Sequence, residues 1–379
     1  MAISMVGNKA LRQDWSIKKL VRDLHWASFI NISAWKISPG EIILFFDQLS
    51  LMLETGTPLN KSIQAITTQV KSKELNNILK DIEKDIEEGR LLSEAMAKYP
   101  KAFSTVYISM IRAGESGGFL KEMLERIVVL EEKHQKLIST IRAAIYYPAF
   151  LSIFAFSVVI FIVMYVFPKF GEMFEDIYDS LPITTKILMA SSRVLTSYWY
   201  LILLCIGMTW FIAYKFIITD KGKMYIDLIK VRVPLFNNFF IRIYLSRLMR
   251  ILGSLIGSNV SLLESLTICA GAVGNKVFEK LIDNIRKSVE EGKPLSKTII
   301  ESPYFPETVK QMVRTGEETG SLHKVMPRLA DYYDAETERH VKRITIIMEP
   351  ILLVFVGGII GIIVISLILP IFKLSKSIH

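Results

Sequence analysis

Three stretches of this 379-residue chain carry no charged residue over a length that can cross a bilayer, and everything else has to be arranged around them. They are Ala149–Phe167 (19 residues), Tyr198–Tyr214, which reaches Ile218 if Lys215 snorkels to the interface, and Pro350–Leu369 (20 residues). At about 1.5 Å per helical residue each approaches the roughly 30 Å hydrocarbon core. The expected class is an integral membrane protein with three transmembrane helices. Hydrophobic residues make up 51% of the chain and the mean hydropathy is +0.36, which excludes a disordered or collagen-like protein. Two cysteines, Cys205 and Cys269, cannot build a disulfide framework. The net charge of +9 suits a protein lying against anionic lipid as well as it suits a nucleic-acid binder, and the apolar windows favour lipid. Residues 1–40 carry Lys9, Arg12, Lys18, Lys19 and Arg22 without an apolar core, so no secretory signal is expected there.

Charges beside the windows set the expected orientation. The segment from Pro168 to Arg193 holds three basic residues against four acids, whereas Lys215 to Arg232 holds five against two. The positive-inside rule places residues 1–148 and 219–349 in the cytoplasm, with the 169–197 loop outside. Lys373 and Lys376 in the 371–379 tail pull weakly the other way.

The chain also repeats itself. IEEGRLLSEAM (Ile86–Met96) matches VEEGKPLSKTI (Val289–Ile299) at an offset of 203, and MIRAGESGGFL (Met110–Leu120) matches MVRTGEETGSL (Met312–Leu322) at 202. At that second offset Pro148 pairs with Pro350 and Pro168 with Pro370, at the two ends of the first and third windows. The expected unit is a helical domain plus one span, present twice, with an extra span between the copies. The boundaries expected are 41–147 and 219–348 for the bundles and 148–168, 198–218 and 349–370 for the spans.

Each copy reads as an all-α antiparallel bundle. Ile42, Phe45, Phe46, Leu49, Met52 and Leu53 follow helical spacing, and no period-two alternation competes. Gly56 is placed to end that helix, and Thr57-Pro58 to cap and open the next. Gly89 and Gly292 are expected at left-handed C-terminal positions, and Ser93 as the cap of a short helix ended by Pro100. GESGG (Gly114–Gly118) reads as a tight turn before a helix that runs to Pro148.

No chemistry is legible in the residues. Glycines are not spaced for a phosphate loop, the five histidines are scattered without HExxH, and no nucleophile has a partner in sequence. No catalytic residue, metal, cofactor or direct nucleic-acid contact is expected. The candidates are instead repeated turns: Gly114, Glu115 and Gly118 in the first copy, Gly316, Glu317 and Gly320 in the second. The glycines permit positive φ, and the acids favour the positive end of the following helix or face a partner. In the third window Gly357 and Gly361 give a face on which another helix can pack closely. Glu349 sits at the lip of that span, either snorkelling or paired between subunits. With no charge deeper in the membrane, a transporter with an ion relay is disfavoured.

Taken together, "QLSLMLETGTPL" (Gln48–Leu59), "EEG…LS" and "GE.SG.L", repeated and each running into a span, resemble the type II secretion system F domain family over about residues 41–170 and 244–372. In the second copy the family's Gly-Val-Pro-Leu is replaced by Asn259-Val260-Ser261-Leu262, although Asn also tolerates the left-handed conformation. The resemblance implies a non-enzymatic inner-membrane platform of a type IV pilus or type II secretion machine, with a DNA-uptake pseudopilus as alternative. It implies as partners a cytoplasmic hexameric assembly ATPase, pilins or pseudopilins, inner-membrane alignment proteins, membrane lipid and further copies of the chain. Residues 1–40, with Trp15, Trp26 and Trp35, match no part of that pattern and read as an amphipathic segment.

Overall fold

The computed structural model describes residues 37–174, 178, 181–234 and 237–377. Trp15, Trp26, Trp35 and nearly all of the basic N-terminal segment lie outside the described residues. No strand occurs among those described. The first copy supplies α1 (Pro39–Glu54), α2 (Leu59–Gln69), α3 (Lys73–Glu87), α4 (Leu92–Ala97), α5 (Thr105–Gly117) and α6 (Leu120–Phe161). A π-helical turn (Ile162–Val166) leads into α7 (Phe167–Met173), followed by α8 (Ile183–Ser197), α9 (Trp199–Ile218) and α10 (Asp220–Arg232). The second copy supplies α11 (Asn237–Gly257), α12 (Leu262–Ala272), α13 (Lys276–Glu290), α14 (Leu295–Glu301), α15 (Glu307–Glu318) and α16 (Leu322–Ser377).

These elements form two compact units. One holds the described residues up to Gln135 together with Ile243–Tyr332, and therefore both bundles; the other holds Lys136–Arg242 and the residues from Tyr333 onward.

In the first unit the helix ends follow local chemistry. The backbone N–H of Ser38 donates to Glu41 Oε2 at 2.9 Å, the reciprocal half of a capping box, and Pro39 pre-sets the first turn of α1. Gly56 ends α1 at φ 80°, and Asn259 holds the equivalent position in the second copy at φ 59°, as its tolerance of that region allows. Gly89 and Gly292 adopt φ 85° and 80°. Pro58 stands one residue earlier than expected: its carbonyl accepts from Ser62 N–H, so it flanks α2 and does not open it. The first bundle is sealed by buried Phe45, Phe46 and Phe103, with Tyr107 edge-on to Phe46 at 5.5 Å between ring centres. In the second, Phe278 packs between Tyr244 and Tyr304. Fully burying one such side chain contributes about 1.5–3 kcal/mol.

Two expectations about turns are corrected. GESGG is not a turn throughout: α5 continues to Gly117, and only Gly118 is left-handed, at φ 75°. The second copy behaves alike, with Gly316 inside α15 and Gly320 at φ 64°. Gly114 is needed for closeness, since a Cβ there would lie 2.8 Å from Met123 Cγ and 2.9 Å from Leu120 Cα. At Gly316 the nearest atoms, of Val325 and Leu322, stand at 3.1–3.3 Å and belong to side chains.

Three helical stretches, Leu120–Gly171, Trp199–Ile218 and Leu322–Pro370, are long and apolar enough to cross a membrane; the first and third begin in the first unit and continue into the second. Pro148 and Pro350, at the openings of the first and third windows, each lie inside a continuous helix, α6 or α16. Proline removes one backbone bond, and inside an apolar span a helix is still the form that satisfies the remaining polar groups. The 169–197 segment, expected as a loop, contains the end of α7 and all of α8. Met189 of α8 is buried with Phe167, Phe174, Leu181 and Ile363, and Val159 and Ile359 pack against the same cluster. The helix α9 buries none of its residues, and Cys205 is exposed on it.

Candidate functional site

The repeated acids find partners that sequence spacing did not suggest. Neither caps the helix that follows it. Glu115 reaches back to α4, where Oε1 accepts from Leu92 N–H at 2.5 Å and Oε2 from Ser93 N–H at 3.2 Å. Glu317 does the same to α14, accepting from Leu295 N–H at 2.6 Å and Ser296 N–H at 2.8 Å. Neither short helix has a capping side chain of its own, because Leu91 and Pro294 occupy the flanking positions. The two most strongly repeated strings of the sequence are thus each other's partners in both copies. Ser93, expected as the cap, is fully buried with Oγ unbonded; the carboxylate has taken its role. A carboxylate on the first free N–H groups of a helix satisfies orphan donors and complements the helix dipole.

Between the copies, and within the first unit, lies a polar seam. Tyr107 of α5 donates its hydroxyl to Glu131 Oε2, and Gln135 Nε2 donates to Glu131 Oε1 at 2.9 Å. Burial and the Glu131 carboxylate push the Tyr107 hydroxyl pKa well up, so the tyrosine stays a donor. Arg247 of α11 brings positive charge to the same pair. Nearby, Asp331 Oδ1 of the second copy accepts from Lys133 of the first at 2.5 Å and from Arg250 at 3.1 Å. Partial burial opposes ionisation of Asp331, but these two hydrogen bonds and charges outweigh it and lower its pKa.

The seam is specific to each copy. At the repeat offset Tyr107 and Glu131 correspond to Val309 and Tyr333, and Arg247 and Arg250 to Leu44 and Asp47. Burial diverges accordingly, with α12 packed on α5. Val106 is buried where Thr308 is exposed, and Arg250 where Asp47 is exposed.

In the second unit Tyr147 donates its hydroxyl to Glu349 Oε1 at 3.2 Å. These are repeat-equivalent positions, each just before its proline. Glu349 therefore has a partner inside the chain, whereas Gly357 and Gly361 have no atom within 4 Å of where a Cβ would stand. Among the described residues no three His, Cys, Asp or Glu side chains group as metal ligands. Cys269 is buried, which pushes its thiol pKa far up and keeps it protonated.

Comparison with known proteins gives a consistent result. Residues 45–168 and 248–370 each match the family model described as type II secretion system (T2SS), protein F. The chain is 34% identical over 349 residues to the type IV pilus assembly protein PilC of Thermus thermophilus, covering 91% of this chain and 86% of that one. It is 30% identical to the protein of the same name from Myxococcus xanthus, over 89% of this chain and 81% of that one. To the type II secretion system protein F of Aeromonas hydrophila it is 28% identical, over 90% and 88%.

Proposed function

Because the chain belongs to the type II secretion system protein F family, we propose that it is the membrane platform of a type IV pilus assembly machine. Its task is mechanical: to couple a cytoplasmic hexameric ATPase to the addition of pilin subunits drawn from the membrane. The observation that carries this reading is the pair of repeated bundles held in one unit by a copy-specific seam, each continuous with an apolar helix. That construction offers large helical surfaces to partners and, among the described residues, no cluster of metal ligands. The greater identity to the Thermus and Myxococcus pilus proteins, 34% and 30%, than to the Aeromonas secretion protein, 28%, favours pilus assembly; secretion by a pseudopilus is the second reading. In this scheme the bundles face the cytoplasm of a bacterium with the 169–197 segment outside, as the flanking charges favour. The chain is not itself an enzyme. Inner-membrane alignment proteins and further copies of the chain complete the platform, and the open Gly357/Gly361 face is the place for a second helix.

The test is deletion and complementation with purified components. Loss of the gene should abolish surface fibres while prepilin is still made and processed. The full chain in nanodiscs should bind the machine's ATPase yet hydrolyse no ATP alone. Normal fibres with failed protein export in the deletion strain would shift the assignment to secretion. Hydrolysis lost on mutation of this chain's own sequence would refute the platform reading.

A further inference from the structure

Helix α8 is turned outside-in for a helix surrounded by water. Thr185, Met189 and Ser192 share its inner face and are buried, while the opposite face shows Ile183, Ile187 and Val194, exposed by 77%, 59% and 49%. That spacing, i, i+4, i+11, makes one continuous apolar stripe. Lys186 and Arg193, seven residues apart, lie together along one flank between the two faces.

The buried hydroxyls have a definite job. Thr185 Oγ1 donates to the carbonyl of Ser366 at 2.9 Å, and Ser192 Oγ to the carbonyl of Val163 at 2.7 Å. An α-helical Ser366 carbonyl would take its hydrogen bond from the residue four further on, which is Pro370 and has no N–H. Val163 lies in the π-helical turn, where Phe167 N–H bonds Ile162 in i+5 register. Its own donor in that register would be Pro168, which again has none. Two repeat-related prolines thus orphan one carbonyl in each span, and α8 covers both.

Both carbonyls lie inside the apolar windows. Val163 stands four residues, about 6 Å, before Phe167, and Ser366 three residues, about 5 Å, before Leu369. An unsatisfied carbonyl at such depth costs several kcal/mol, which gives the hydroxyls their importance. Because the two bonds reach nearly repeat-equivalent levels of the two spans, α8 lies across the spans and not along them. Two of its exposed hydroxyls also turn inward: Ser191 bonds the carbonyl of Ile187 at 2.9 Å and Thr196 that of Ser192 at 2.8 Å.

We propose that α8 is an in-plane membrane helix seated in the outer part of the bilayer, with lipid acyl chains covering Ile183, Ile187 and Val194. Its basic flank, Lys186 and Arg193, faces the headgroup level, where long cationic side chains settle. The seat on two spans makes α8 a cross-brace, fixing the separation of the membrane ends of the two repeats.

Single cysteines at Ile183, Ile187 and Val194 test this in the full chain carrying Cys205→Ser and Cys269→Ala, spin-labelled and reconstituted in nanodiscs. Collision with oxygen should exceed collision with a water-soluble nickel chelate at all three, as at the lipid-facing control Leu203, and opposite to the water-facing control Lys280. Nickel dominance at the three sites would place the stripe in water and overturn the proposal. Poor access to both reagents would mean that protein, a second copy or another partner, covers the stripe, and would overturn it equally. The shape-preserving pair Thr185→Val and Ser192→Ala should raise label mobility and nickel access at Ile187. No change there would show that the hydroxyl seat does not hold the helix in place.

Discussion

Removing one carboxylate should loosen one short helix in a measurable way. Glu115 accepts the N–H groups of Leu92 and Ser93, the first two residues of α4. Hydrogen bonds to a charged group contribute roughly 1.5–3 kcal/mol, loss of an N-terminal cap costs about 0.5–2, and an anion at a helix N-terminus adds about 0.3–1. These overlap, because all describe the same two contacts, so a combined loss of about 2 kcal/mol is expected for Glu115→Ala. Glu115→Gln is not conservative here, since its NH2 group would face one of the two N–H donors and only one bond could survive. Hydrogen–deuterium exchange on the full protein in detergent reads the effect directly. Peptides covering Leu91–Lys98 should lose about 30-fold in protection, since about 1.4 kcal/mol is tenfold, with Glu115→Gln between this and the parent. Glu317→Ala should do the same to α14 while leaving α4 unchanged. If exchange at Leu92 and Ser93 is unaltered in both Glu115 variants, the carboxylate does not hold the helix and the capping argument fails.

Gly114→Ala should lower the apparent unfolding temperature, because overpacking costs about 1–3 kcal/mol against at most about 1 kcal/mol of helix propensity gained. Gly316→Ala should be nearly neutral, since only side-chain atoms need to give; equal effects would deny the closer approach in the first copy. Asp85 accepts from Lys98 at 2.5 Å and from Arg90 at 2.8 Å, and mainly the Lys98 bond holds its pKa below the ordinary 3.8. Its contribution is therefore full above that value and disappears as pH falls through the lower folded value, so Asp85→Asn should flatten acid-induced exchange around α3 and α4. Cysteines at Lys84 and Lys280, both exposed, should react with an impermeant thiol reagent only after lysis; labelling at Lys280 in intact cells would overturn the orientation.

What the sequence discloses is uneven for physical reasons. The spans, the repeat and the left-handed positions Gly89, Gly118, Gly292 and Asn259 are written in single residues or uninterrupted runs, where one local preference decides. The pairing of Glu115 with Leu92 and Ser93 is not local, being carried across 22 to 23 residues. A signal did exist, in that two motifs repeat together, but repetition does not say which groups touch. Helix α8 escaped because Thr184, Thr185, Ser191 and Ser192 weaken helix propensity and blur its periodicity. Its inner face is recognisable only once the prolines of two other helices are seen to leave carbonyls open. The Tyr107–Glu131 seam was missed because it departs from the repeat, and self-comparison rewards only what the copies share.

That asymmetry has a consequence in time. Asp331 follows Lys133 by 198 residues, so at about 5–20 residues per second the first bundle waits about 10–40 s during synthesis before its counterpart exists. Arg247 and α12 are made within that interval, so Glu131 and the face of α5 around Val106 lack their cover only for its earlier part, whereas Lys133 lacks Asp331 until its end. A chain stopped before Leu262 therefore leaves the α5 face around Val106 without its α12 cover, open to chaperones and proteases. The order of synthesis thus covers the apolar face of the first bundle before its Lys133–Asp331 ion pair can close.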